Sequence, residues 1–182
     1  MTERELIQGC IDKKPDFQKL LFDTYAGKMM SVCLRYANDD QWAKDILQEG
    51  FIKVFKYIGQ FRFEGSFEGW MRRVFVSVAM RMQLKHKLNF SDIDIGNIKD
   101  EAVDPDIVSK LSEAEIHQMI RNMPDGYRTV FNLHVIEGYN HEEIAGMLGI
   151  QASTSRVQLL KARKYLQALI VKKNTNYQAL SA

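Results

Sequence analysis

Between Gly59 and Phe75 the chain reads GQFRFEGSFEGWMRRVF. Four rings, Phe61, Phe63, Phe67 and Trp70, stand among the glycines Gly65 and Gly69, and Arg72 and Arg73 follow at once. Rings on a glycine-hinged loop can stack on unpaired nucleobases while nearby arginines neutralise phosphate. Rings are equally the material of a core, and Phe67 and Trp70 suit that role as well.

A second constellation lies near the C-terminus, in YNHEEIAGMLGIQASTSRVQLLKARKYL. Asn140 can cap a helix, and Glu143 three residues on completes a capping box. Ile144, Met147 and Leu148 form its apolar face, and Ala145 is small where two helices cross. Gly149 supplies a sharp turn with positive φ. Ile150 is expected to plug the core, and a second helix should begin near Ala152 or Ser153. This is the pattern of a helix-turn-helix. On the second helix Ser155, Leu159, Ala162 and Leu166 share the inward side, although an aliphatic residue would pack better than Ser155. The opposite side carries Val157, Leu160 and Lys164, flanked by Arg156 and Lys161. Arginine can pair with guanine and apolar groups can touch thymine methyls in a major groove, while lysines hold phosphates. An ordinary helical hairpin is the competing reading.

The elements that must position these residues read almost throughout at helical period. In Asp39–Ile58, Ile46, Leu47, Phe51, Val54, Phe55 and Ile58 share one side; Asp45, Gln48, Glu49, Ile52 and Lys56 share the other. After the aromatic loop, Met71, Val74, Phe75, Val78 and Met82 form one face. Arg73 and Ser77, flanked by Arg81, lie opposite with Val76, Met80 and Leu84. A helix apolar on both sides is either deeply buried or in contact with a partner. Thr2 and Glu5 make a capping box, and Pro124 announces a helix at Asp125.

The chain has 182 residues, 46% hydrophobic and 26% charged, a globular composition that admits one domain or two small ones. Net charge is only +2, but its distribution is uneven. Trp70–Lys87 and Thr154–Lys173 contain no acid, whereas NFSDIDIGNIKDEAVDPD between them carries six. We therefore expect an all-α protein of two small helical domains joined by an acidic flexible linker, the C-terminal domain a helix-turn-helix. The boundaries are 1–87, linker 88–108, 109–175 and a tail at 176–182.

No apolar run is long enough to span a membrane, and MTERELIQGC has no signal-peptide core, so a cytoplasmic protein is expected. Cys10 and Cys33 are isolated and read as buried thiols. The histidines His86, His117, His134 and His141 form no HExxH or nucleophile–base motif, and no GxxxxGK[ST] loop occurs. Catalysis, a metal, a cofactor and a small-molecule substrate are not expected.

Taken together, the motifs resemble the sigma factors of bacterial RNA polymerase, in the extracytoplasmic function (ECF) group of the sigma-70 family. DILQEGFIKVFKYIGQF resembles the part of region 2 that docks on the polymerase clamp. FRFEGSFEGWMRRVFVSVAMRMQLK resembles its promoter −10 element, and MPDGYRTVFNLHVIEGYNHEEIAGMLGIQASTSRVQLLKARKYL resembles region 4. The likeness runs over residues 17–170, and no segment matches the extra domains of larger sigma factors. It implies that Asp45, Gln48 and Glu49 contact core RNA polymerase. Phe61, Phe63 and Gly65 belong by the same likeness to a loop that captures a flipped −10 base, with Trp70, Arg73, Ser77 and Arg81 beside it. Arg156, Val157, Leu160, Lys161 and Lys164 face the −35 element. Ser77, Arg81 and Gln158 depart from residues common in the group. An anti-sigma factor is implied as a partner alongside promoter DNA, and the acidic linker would occupy the RNA channel. Two other functions compete: a helix-turn-helix regulator binding duplex DNA unaided as a dimer, and an interaction protein whose aromatic loop docks another protein.

Overall fold

The computed structural model describes residues 1–85 and 111–180, all helix and connecting turns. The expected linker at 88–108 lies outside them. The chain divides into two compact units, Met1–His86 and Lys87–Ala182.

Four helices build the first unit: α1 (Glu3–Ile11), α2 (Pro15–Tyr36), α3 (Asp40–Tyr57) and α4 (Phe67–Lys85), with a 3-10 turn at Ile58–Gln60. Each start has a local cause. Thr2 and Glu5 cap α1 reciprocally, and Pro15 occupies the first position of α2, where its missing N–H costs nothing. The Asp39 carboxylate accepts the Trp42 N–H at 2.7 Å at the head of α3, and Ser66 Oγ accepts the Gly69 N–H at 3.2 Å at the head of α4. Ile7, Leu21, Met29, Ile46, Val54, Met71 and Phe75 form the core.

On the second face of α4, Val76 and Met80 prove to be interior, while Leu84 is exposed. The helix packs against both α2 and α3, and Val76, Ala79 and Met80 are buried as fully as Met71 and Phe75, while Val74 and Met82 are only half-buried. Gln83 is buried with them. Its Nε2 donates at 2.7 Å to the carbonyl of Tyr36, the last residue of α2, satisfying a group that a helix end otherwise leaves open. The approach of α3 to α4 depends on Gly50: a Cβ there would lie 2.2 Å from the Phe75 ring. Burial pushes the thiols up, Cys10 to about 11 and Cys33 to about 12, so both stay protonated and inert.

The second unit contains α5 (Glu113–Arg121), α6 (Asp125–Phe131), a π turn at Asn132–Ile136, α7 (His141–Leu148) and α8 (Ala152–Leu180). Helix α8 thus continues past residue 175, where the sequence reading ends the domain. Ile120, Met123, Tyr127 and Ala162 pack together, with Phe131, Tyr165 and Leu166 against them. Arg128 is buried and acts as a staple, donating from Nη1 to the Arg121 carbonyl and from Nη2 to Asp125 Oδ1, both at 2.8 Å. The π turn, which periodicity did not signal, is closed by the Glu137 N–H donating to the Asn132 carbonyl at 3.0 Å.

Candidate nucleic-acid interface

The aromatic loop separates into buried and presented rings. Phe61 is only 7% exposed, and its centroid lies 5.1 Å from Phe63, 5.2 Å from Phe67 and 5.8 Å from Trp70. Phe67 is fully buried and stacks on the half-buried Trp70 at 5.6 Å. The 3-10 turn is the cause: the Phe61 N–H donates to the Ile58 carbonyl at 3.1 Å, folding the chain back so that the Phe61 ring joins the core. Phe61, expected in the base-capturing loop, is thus buried beneath Phe63, Phe67 and Trp70 and supports them.

Phe63 differs. It is 41% exposed and its φ is +58°, in the left-handed region. A non-glycine residue held there costs on the order of 1–3 kcal/mol, and such strain concentrates at functional sites. Gly65, two residues on, has φ +86°, where a side chain would be disfavoured. The guanidinium carbon of Arg4 lies over the Phe63 ring, 4.8 Å from its centroid.

Trp70, which touches Phe61, also lines a groove between α3 and α4 with Lys53, Tyr57, Arg73, Ser77 and Arg81. Arg73, Ser77 and Arg81 are exposed at four-residue spacing, so they form one line along α4. The groove combines rings with cations, the equipment for tracking a single strand. Sequence reasoning missed Lys53 and Tyr57. Their signal was the four-residue spacing on α3, visible only once the neighbouring helix was known.

A second depression on the same helix pair is lined by Asp45, Gln48, Glu49, Ile52, Met82 and Lys85, and it shares Lys53 and Arg81 with the first. Asp45 and Gln48 are exposed, Glu49 half-buried, and Ile52 is 52% exposed between them. Glu49 pairs with Lys53 at 3.5 Å, and Gln41 Nε2 donates to Asp45 Oδ1 at 3.2 Å. Two carboxylates thus face three cations in this depression, which adjoins the basic groove.

In the second unit, the Asn140 side chain accepts the Glu143 N–H at 2.9 Å and the Glu143 carboxylate accepts the Asn140 N–H at 2.8 Å. Gly149 ends α7 at φ +67°. Ser155, Leu159 and Ala162 of α8 are buried; Leu166 and Ile150 are half-buried. The misfit at Ser155 has a reason: its Oγ lies 2.9 Å from His141 Nδ1, tying the first residue of α7 to the start of α8. A stacked His134 ring, 4.5 Å from His141, completes the joint. His141 is held below its ordinary pKa of 6.5 by burial first, then by His134 and Arg156.

The outer side of α8 presents Val157 at 47% and Leu160 at 54% exposure, with Arg156 also exposed. Arg156 Nη1 is 3.4 Å from the Glu142 carboxylate, an exposed pair that holds it only loosely. Lys161 and Lys164 are half-buried at the flanks. Gln158, one of the departures from the group's pattern, is buried and turned from this side.

Among the described residues no group of His, Cys, Asp and Glu could hold a metal, and no helix is long and apolar enough to cross a membrane.

Comparison with known proteins points the same way as these surfaces. The family model for sigma-70 region 2 matches residues 21–88, and that for sigma-70 region 4 matches residues 113–166, together about two thirds of the chain. The RNA polymerase sigma-H factor of Pseudomonas aeruginosa is 28% identical over 93% of this chain and 98% of that protein. The ECF RNA polymerase sigma factor SigW of Bacillus subtilis is 26% identical over 81% of this chain and 85% of its own. A solved structure, the sigma factor RpoE in complex with the anti-sigma factor NepR from Bartonella quintana, shares the fold. Its TM-score is 0.50 at 17% identity, covering 85% of this chain and 96% of that one. With a region 2 match on the unit that carries the ring-and-cation groove, and a region 4 match on the unit that carries the helix-turn-helix, the chain belongs to the sigma-70 family of RNA polymerase sigma factors, in its ECF group.

Proposed function

We propose that this sigma factor, which directs core RNA polymerase to promoters, divides promoter reading between its two units: single-strand capture by the first, duplex reading by the second. The observation that carries the reading is Phe63, an exposed ring in a strained left-handed pose, joined through Phe61 to Trp70, which lines a groove with Tyr57, Arg73, Ser77 and Arg81. In this reading Phe63 stacks on an extruded −10 base, the buried Phe61 supports it, and Gly65 lets the loop turn. Arg73 and Arg81 hold the strand's phosphates, with Ser77 between them and Trp70 a turn before Arg73.

On α8, Arg156, Val157 and Leu160 read the −35 major groove, and Lys161 and Lys164 flank it on the phosphates. Asp45, Gln48 and Glu49 offer polar contacts to the polymerase, and Ile52 adds an apolar centre among them. The domains follow as 1–87 and 109–175 with 88–108 as linker, and the protein works in the cytoplasm, where its polymerase is. An anti-sigma factor is a further partner, supported by the complex in which the similar sigma factor was solved.

Magnitudes assign the work. Base–aromatic stacking is worth about 1–3 kcal/mol per base, and duplex stacking averages about 1.4 kcal/mol per step. One captured base offsets about one or two steps, so opening a longer stretch requires the polymerase. Holoenzyme made with Phe63→Ala should form fewer open complexes while the −35 duplex is bound as before, measured by permanganate reactivity and by retention of a −35 fragment. Wild-type reactivity in that variant would remove Phe63 from the site.

A further inference from the structure

The base-capture loop has a neighbour that neither the aromatic motif nor the groove accounts for. Arg4 lies in the first turn of α1, beside Glu3 and Glu5. The acids suit that position; a cation there opposes the helix dipole, so local helix chemistry does not ask for it. Among the described residues it is paired with no carboxylate. Its guanidinium rests instead on the Phe63 ring, 4.8 Å from the centroid.

The placement is built in. Glu3, the preceding residue, accepts a hydrogen bond from the Tyr25 hydroxyl at 3.1 Å, and the Tyr25 ring meets Phe67 edge-on at 5.8 Å. Phe67 in turn contacts Phe61, on which Phe63 leans. The first turn of α1 is thereby fixed to the same ring cluster that supports the loop. A planar cation over an aromatic face is attractive even at an exposed site. On an exposed ring of a short loop it selects one orientation before any ligand arrives, which lowers the ordering cost of binding.

We propose that Arg4 is a positioning residue of the −10 site, holding the Phe63 ring in its base-accepting orientation by covering one of its faces. This rests on the assignment of Phe63 to base capture. α1 then belongs to the promoter-reading surface, although it is more than fifty residues from the loop in sequence.

The test is a double-mutant cycle in holoenzyme, with the full chain and core polymerase. The probe is fork-junction DNA carrying a −10 element selected with the wild-type protein, with 2-aminopurine placed in turn at each unpaired non-template position. Arg4→Ala should lower affinity for the fork by about two- to fivefold, the range of an exposed cation–π contact, and weaken the 2-aminopurine signal at the captured position. It should change nothing further when Phe63 is already alanine. Arg4→Lys should restore part of the loss. Melting of the free chain and binding of the −35 duplex should stay at wild-type values, since Arg4 is exposed and lies in the other unit.

An Arg4→Ala protein that matches wild type on the fork overturns the proposal. So does an equal loss in the Phe63→Ala background, which would show Arg4 acting independently of the ring. If Phe63→Ala impairs the fork and Arg4→Ala does not, base capture stands and only the role of Arg4 falls. If Phe63→Ala is itself silent, both fall.

Discussion

At the scale of single residues, the joint between α7 and α8 shows how one side chain couples local sequence to function. His141 opens α7, its Nδ1 meets the buried Ser155 Oγ, and its ring stacks on His134. Arg156 and Arg163 from α8 add positive charge nearby, and Glu142 opposes them. A proton on His141 would sit in this cationic surrounding and against the positive end of a helix. Its folded pKa lies below the ordinary 6.5, so the unfolded chain binds the proton more readily. Its contribution is complete above pH 6.5 and is lost as pH falls below that value toward the folded pKa. Melting of the full chain between pH 7.5 and 5.5 should therefore show a decline in the second unit that His141→Gln makes shallower. An unchanged slope in the variant would contradict this account. The capping box at Asn140 and the turn at Gly149 were legible from the sequence because each depends on a few adjacent residues. The His141–Ser155 bond was not, since it joins residues whose proximity is created by the turn itself. In the first unit the same limit applies to Phe61, whose burial is decided by the 3-10 turn before it.

At the scale of elements, the groove lies between α3 and α4, which approach closely near the middle of both helices. Gly50 permits the approach, and the Phe75 ring fills the space a Cβ would take. Gly50→Ala should destabilise the first unit by about 1–3 kcal/mol, as over-packing of a tight core does, and reduce fork binding more than −35 binding. Urea denaturation and the two binding assays check this; wild-type stability would mean that Phe75 can move aside at little cost. The inward face of α3 was readable from period, with Ile46, Phe51, Val54 and Ile58 buried and Leu47 and Phe55 half-buried at its edges. For α4 the pattern left two options, and burial of Val76 and Met80 against α2 and α3 decides for the interior. Periodicity could not decide, because it reports which residues share a side and not how many neighbours the helix has. The π turn at Asn132–Ile136 left no trace in the pattern either, since one added residue in a short helix looks like an ordinary helix end.

At the scale of the whole molecule, each unit carries one candidate promoter surface, and neither resembles the other. The first offers rings, a strained loop and arginines in a groove; the second offers exposed Val157 and Leu160 beside Arg156 on a long helix. Unlike surfaces suit unlike targets, an unpaired strand and an intact groove, and this is what separates a sigma factor from a regulator that reads a palindrome with two copies of one helix. The depression at Asp45, Gln48 and Glu49 adjoins the groove of Arg73 and Ser77 and shares Lys53 and Arg81 with it, so on the proposed reading polymerase docking and strand holding fall on one helix pair. The central claim is that the loop at Phe63 meets an extruded base when the holoenzyme opens a promoter. Photocrosslinking tests it most directly, with p-benzoylphenylalanine at position 63 in holoenzyme on a promoter opened at the −10 element. The account predicts an adduct on one unpaired non-template base, lost when the DNA is kept duplex. An adduct only on polymerase, or on DNA equally in duplex and open complexes, would contradict it.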